Sequence, residues 1–308
     1  MSMKRSEPGS HGKAERAASR DVRRVRATKP AHAFDATSAP EATRSIRIRT
    51  FDINGQSLRV AVWPAMSTRT PLLLFNGIGV GFEALTPLAN AMPDVETIAF
   101  DVPGAGESPL PAYPYRLWML ARLAGRLLDK LGYDQVDVLG VSWGGALAQQ
   151  FALQNPRRCR RLVLAATISG PPMVPGRPSV LLKLLTPRRF TDRDYLAATG
   201  GELYGGAART GADLMDKMAP LYGRTSRLGY LYQQLAILGW SSAAWLPLLP
   251  QRTLIIAGSD DPIVPVINAQ WMGLLIRHSR VHIVDDGHLF IISNASGVGQ
   301  VIDQFLSE

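Results

Sequence analysis

A chain of 308 residues with 46% hydrophobic composition is long enough to enclose one large α/β core, which excludes a fibrous or wholly disordered protein. No apolar run approaches the roughly 18 to 20 residues of a membrane span, and the basic N-terminus lacks the apolar stretch of a secretory signal, so a cytoplasmic protein is expected. The single cysteine, Cys159, excludes an intrachain disulfide and a cysteine-based metal site, and the formal net charge of +9 raises the question of an anionic partner.

That charge is unevenly placed. Residues 1–45 are rich in Arg, Lys, Ser, Ala, Glu and Pro and nearly free of bulky apolar groups. Such a segment cannot bury enough surface to fold, so a disordered basic tail is expected. A tail of this kind can bind an anionic surface, or serve equally as a solubilising extension. It carries no nucleic-acid-binding module, so no specific nucleic-acid partner is expected.

The folded part begins at Ile46. Residues 46–51 alternate apolar and polar, Asn54-Gly55 is a hairpin turn, and residues 57–62 alternate again, which predicts a β-hairpin. Short, nearly continuous apolar runs follow at 72–75, 97–100, 136–139, 162–165, 253–257 and 281–284, most of them separated by helix-like segments. With the hairpin they predict a mostly parallel eight-stranded sheet covered by helices on both faces. One interval is anomalous: more than eighty residues separate Ala165 from Thr253, too many for a single crossover. Leu228, Leu231, Leu235 and Leu238 fall there at helical spacing, among Tyr230, Tyr232, Trp240 and Trp245. The expectation is a helical lid over 169–249, inserted into a core of 46–168 and 250–308.

The chemistry centres on Gly140-Val141-Ser142-Trp143-Gly144, where the apolar run 136–139 gives way to a helix-like Ala/Leu/Gln stretch. A serine between glycines at a strand-to-helix junction is a nucleophile elbow, with the hydroxyl forced up above the sheet edge. A serine hydroxyl needs a base to take its proton and a carboxylate to orient that base. In this arrangement they follow the serine in the order acid, histidine. Run 253–257 leads into Asp260-Asp261-Pro262, and the spacing of Gly258, Asp261 and Pro265 favours Asp261, leaving Asp260 as a solvated loop carboxylate. Run 281–284 leads into Asp285-Asp286-Gly287-His288. His288 follows a turn glycine at a strand end, whereas His278 and His282 lie before or inside the strand.

An oxyanion requires donors. The backbone N–H groups of Trp143 and of Ile78, in Phe75-Asn76-Gly77-Ile78-Gly79, are the candidates. That glycine-rich loop lacks both G-x-G-x-x-G and a Walker lysine, so no nucleotide is expected. Asp101-Val102-Pro103-Gly104-Ala105-Gly106 reads as a shaped turn, and Cys159, lacking a neighbouring base, reads as structural.

FNGIG from Phe75, IAFDVPGAG from Ile98, GVSWGGALAQQFA from Gly140, LVLAAT from Leu162, MVPG from Met173, PRRF from Pro187, LYGG from Leu203, LGWSS from Leu238, DDPIVPVIN from Asp260 and DDGHLFII from Asp285 together carry a resemblance. From about Ile46 to its end the chain resembles the intracellular depolymerases of medium-chain-length poly(3-hydroxyalkanoate), serine hydrolases of the α/β-hydrolase fold. Several of these stretches lie in the insertion, where α/β-hydrolases differ most from one another. The resemblance implies Ser142 as nucleophile, Asp261 as acid and His288 as base, a polyester or small ester substrate, a granule surface as partner, and no metal or organic cofactor. Many relatives begin the oxyanion loop with His-Gly, where this chain has Asn76-Gly77. A general carboxylesterase or lipase, or a hydroxyacyl acyltransferase, is the alternative within the same fold, and a non-catalytic binding protein is the alternative outside enzymes. The related polymer synthases carry cysteine at the elbow, so Ser142 argues for hydrolysis.

Overall fold

The computed structural model describes residues 44–210 and 226–308, so the expected tail up to residue 43 lies outside the described residues. The strands are β1 (Arg47–Ile53), β2 (Gln56–Trp63), β3 (Leu72–Phe75), β4 (Thr97–Phe100), β5 (Val136–Val141), β6 (Cys159–Ala165), β7 (Arg252–Gly258) and β8 (Ser279–Val284). They form one eight-stranded sheet in the order β1-β2-β4-β3-β5-β6-β7-β8. The first two make the hairpin expected at Asn54-Gly55, whose φ values of 55° and 81° give a turn that matches the twist of its strands. β2 pairs antiparallel with β4, and every pairing from β4 to β8 is parallel.

Both faces are covered, which is why the parallel strands read as continuous apolar runs. α2 (Leu117–Leu131), α3 (Trp143–Gln154) and α8 (Ile267–Leu275) cover one face, packing on Val138, Leu162, Leu164 and Ile255. α1 (Thr86–Asn90), α9 (Phe290–Ser293) and α10 (Ala295–Ser307) cover the other, packing on Leu139, Val163, Leu254 and Ile256. Neighbours along each strand thus serve opposite layers, as the two-residue repeat of a strand requires.

Between β6 and β7 the chain forms α4 (Pro178–Lys183), α5 (Arg188–Thr191), α6 (Arg193–Tyr204) and α7 (Arg227–Ile237). The helix expected from the leucine spacing is present, and its buried face is made by other residues than those leucines. α7 buries Gly229, Tyr230, Gln233 and Ala236, while Leu228 and Leu231 stand 44% and 45% exposed. The reason is close approach. A Cβ at Gly229 would run into the backbone of Gly104, so the helix meets the β4 loop along its small and polar residues. Arg116 donates to the carbonyls of Leu235 (2.8 Å) and Leu238 (2.7 Å), satisfying the C-terminal end of α7.

Arg44 falls inside the boundary drawn for the tail, yet it is fastened to the core. Its guanidinium donates to the carbonyls of Ala89, Met92, Trp63, Pro64 and Val95 at 2.7 to 3.1 Å.

Candidate active site

β5 runs into α3 with only Ser142 between them. The serine takes φ 54° and ψ −119°, backbone values that few side chains other than glycine adopt. Hydrogen bonds hold it there: its N–H donates to Ala165 (2.8 Å), and its carbonyl accepts from Gly145 N–H (2.9 Å) and the Thr167 hydroxyl (2.6 Å). The flanking glycines are steric requirements. A Cβ on Gly140 would meet Gly144, and a Cβ on Gly144 would meet the carbonyl oxygens of Phe75 and Asn76.

Around Ser142 the structure brings together the residues singled out from the sequence. Its hydroxyl lies 3.1 Å from His288 Nε2, and His288 Nδ1 lies 2.7 Å from Asp261 Oδ2. Asp261, from the loop after β7, also accepts the N–H groups of Ile263 and Val264 at 2.9 Å on its other oxygen. The Asp261 side chain is fully buried and that of His288 nearly so. His288 N–H donates to the carbonyl of Tyr204 at the end of α6 (2.7 Å), so the insertion helps to place the histidine. With Nδ1 donating to the carboxylate, Nε2 is left to accept the serine proton.

Asp260 keeps much of its side chain in solvent, as expected of a loop carboxylate, but it is also paired: with Arg209 (2.6 Å), and it accepts Gly206 N–H (2.8 Å), tying the turn after α6 to the β7 loop. The Arg209 guanidinium is the main cause that brings its carboxyl down to about 2. His278 and His282 stand apart from the cleft, His282 half-buried in β8 with burial pushing its imidazole down. Cys159 is buried, and burial pushes its thiol well up despite the arginines beside it. Asp101 holds the turn after β4 in shape, accepting from Phe82 N–H, Glu107 N–H and Arg59. Among the described residues no group of His, Cys, Asp and Glu stands together in a way that would hold a metal ion.

The backbone N–H groups of Ile78 and Trp143 carry no acceptor among the described residues. Their loops are stiffened from both sides. Asn76 accepts Gly77 N–H (2.8 Å) on its side-chain oxygen and donates to the Gly81 carbonyl, closing the turn after β3. Gln233 of α7 accepts Gly79 N–H (2.9 Å) on its side chain and the Trp143 indole N–H (2.8 Å) on its carbonyl. Sequence reasoning missed Gln233; no signal marks a glutamine on an amphipathic helix as inward-facing. A cleft enclosing about 620 Å³, open solvent included, lies above Ser142 and His288, with Leu184, Arg189, Phe190 and Tyr204 of the insertion forming its upper wall.

The model of the α/β hydrolase fold family matches residues 70–295. The chain is 47% identical over 261 residues to the poly(3-hydroxyalkanoate) depolymerase of Ectopseudomonas oleovorans, covering 84% of this chain and 92% of that one. It is 29% identical over 264 residues to the 2-hydroxy-6-oxo-2,4-heptadienoate hydrolase of Pseudomonas putida, covering 77% and 89%. Among solved structures, the enol-lactonase from Burkholderia xenovorans LB400 matches with a TM-score of 0.73 at 20% identity, covering 84% of this chain and 100% of that one, a likeness of fold. The chain belongs to the α/β hydrolase family and is a relative of poly(3-hydroxyalkanoate) depolymerase.

Proposed function

We propose that this protein is a serine hydrolase cleaving the ester bonds of medium-chain-length poly(3-hydroxyalkanoate), with Ser142 as nucleophile, His288 as base and Asp261 as the acid that orients it. The observation that carries the reading is the hydrogen-bonded line from Ser142 through His288 to Asp261, in a chain 47% identical to a depolymerase of this polymer class. Ser142 Oγ attacks the ester carbonyl while its proton passes to His288 Nε2. The carbonyl oxygen, now negative, is received by the N–H groups of Ile78 and Trp143. The bond to the alcohol oxygen breaks, that oxygen takes the proton from His288, and the alcohol fragment leaves. Water then gives a proton to His288 and its hydroxyl to the acyl carbon, Ser142 recovers its proton, and the acid is released.

The preference for medium-length side chains rests on the matches within the insertion and on the apolar walls of the cleft. Each buried methylene contributes about 0.8 kcal/mol at most, so a few methylenes give roughly 10- to 100-fold discrimination. We place the protein in the cytoplasm at the granule surface. Leu182, Leu185, Leu228, Leu231 and Leu238 stand exposed on the insertion and suit an apolar surface. The test is release of 3-hydroxyoctanoate from its polymer against 3-hydroxybutyrate from amorphous short-chain polymer at matched surface area. Faster release of 3-hydroxyoctanoate is expected. Faster cleavage of the short-chain polymer defeats the medium-chain assignment, and activity confined to small soluble esters makes the protein a general esterase.

A further inference from the structure

Arg189, in α5, lines the same cleft as Ser142 and His288 and is only 3% exposed. Its partners are neutral. One terminal nitrogen donates to the Tyr230 hydroxyl (3.0 Å), the Tyr204 side chain shares a further hydrogen bond, and the guanidinium lies 4.2 Å from the centre of the Phe190 ring. Burial pushes the Tyr204 phenol up, so that group brings no negative charge. No carboxylate among the described residues pairs with Arg189, and its Nε has no hydrogen-bond partner. Other buried side-chain atoms among the described residues also lack partners, on Asn90, Gln233 and Gln251, but none of those residues lines the cleft.

A guanidinium keeps its charge at any ordinary pH, and burying one without an anion is costly. Where the described residues offer such a group no anion, a ligand entering the cleft is the natural place to find it. A carboxylate suits the planar, multi-donor face of a guanidinium best.

The chemistry of the polymer then fixes which fragment carries that carboxylate. In a linear polyester of 3-hydroxyacids, every cut leaves the free carboxyl terminus on the alcohol fragment, because the acyl fragment's carboxyl is the group joined to Ser142. In the terminal unit this carboxylate is separated from the leaving oxygen only by the carbinol and one methylene, a span that fits within one cleft. Resting on the polyester reading above, we propose that Arg189 is a carboxylate-binding subsite for the leaving fragment, which directs cleavage to the carboxyl ends of chains and to short oligomers with a free acid.

The experiment compares the dimer of 3-hydroxyoctanoate with a free terminal carboxylate against the same dimer as its terminal methyl ester. For the wild type, kcat/KM for the free acid exceeds that for the methyl ester by at least about tenfold, the size a charge-assisted hydrogen bond supports. Arg189→Gln brings the ratio close to unity, and Arg189→Lys restores part of it. A wild-type ratio near unity, or one unchanged in Arg189→Gln, overturns the proposal. Should Arg189→Gln fail to fold, the Ser142→Ala protein decides. There 3-hydroxyoctanoate raises the melting temperature and methyl 3-hydroxyoctanoate does not; equal effects, or none, overturn the subsite. The dimer kinetics read the chain end, and the monomer reads the released product. Selective binding of the acid by a protein that cleaves no ester would sink the hydrolase reading and leave the subsite standing.

Discussion

In β3, β4 and β5 every side chain is buried, alternating between two helical layers, whereas α7 buries a narrow strip of glycine, tyrosine, glutamine and alanine and turns leucines outward. These inner strands are stabilised by repetition: each lies between neighbouring strands and two helical layers, and apolar bulk fills most of its positions, with Thr97 and Asp137 the buried polar exceptions. The insertion is stabilised by particular contacts, Gly229 against Gly104, Gln233 against Gly79 and Trp143, Arg189 against Tyr230. The first region supports the site by rigidity. The second shapes it by the identity of single residues.

The largest expected effect belongs to the point where the sheet delivers Ser142, the proposed nucleophile. Ser142→Ala keeps the Cβ and hence the backbone cost of the elbow, and removes only the hydroxyl. Turnover should fall by roughly 10⁴-fold or more, with labelling by a serine-reactive phosphonate lost and the melting temperature unchanged. Labelling that persists on another serine would move the nucleophile elsewhere.

Next come the adjacent acids, one serving the sheet's chemistry and one the insertion's attachment. Asp261→Asn should cost about 10⁴-fold in turnover, because an asparagine holds the imidazole in the wrong tautomer. Asp260→Asn breaks a partly exposed pair and should cost far less, with the protein's acid stability altered instead. The sign follows from the Asp260 carboxyl, at about 2 against an ordinary 3.8. The stability it contributes is complete above the ordinary value and is lost as pH falls through the lower one. Urea denaturation of both proteins across that window reads the effect; equal turnover losses in the two variants would reassign the acid.

The smallest effect separates the two kinds of leucine. Leu164→Ala in β6 should cost about 2 to 5 kcal/mol, while Leu231→Ala on the outer face of α7 should stay within about 0.5 kcal/mol. Urea midpoints measure both. Comparable costs would mean that the outer face of α7 is covered in solution.

The parallel strands were legible because a strand buried on both sides leaves a run with almost no polar interruption, as in 72–75 and 97–100, which coincide with β3 and β4. Ser142 and His288 were legible because glycine requirements and strand ends mark such positions locally. Arg189 and Gln233 were not. Hydropathy assigns arginine and glutamine to solvent, and what buries them comes from far along the chain: Gln233 meets Gly79 across 154 positions and Arg189 meets Tyr230 across 41. The leucine spacing in α7 announced a helix but not its buried side, since periodicity reports that one face is apolar and not which face the neighbouring glycines allow to approach.

The double attachment of Gln233 ties three distant segments into one unit. Helix α7 is bolted to the loop of Ile78 on one side and to Trp143 on the other, with Arg116 clamping its far end. Displacing it would free both the loop of Ile78 and the start of α3, which carry the two backbone donors proposed to receive the ester oxygen. The insertion thus grips the site at two places, the donor loops through α7 and the histidine through the carbonyl of Tyr204 at the end of α6.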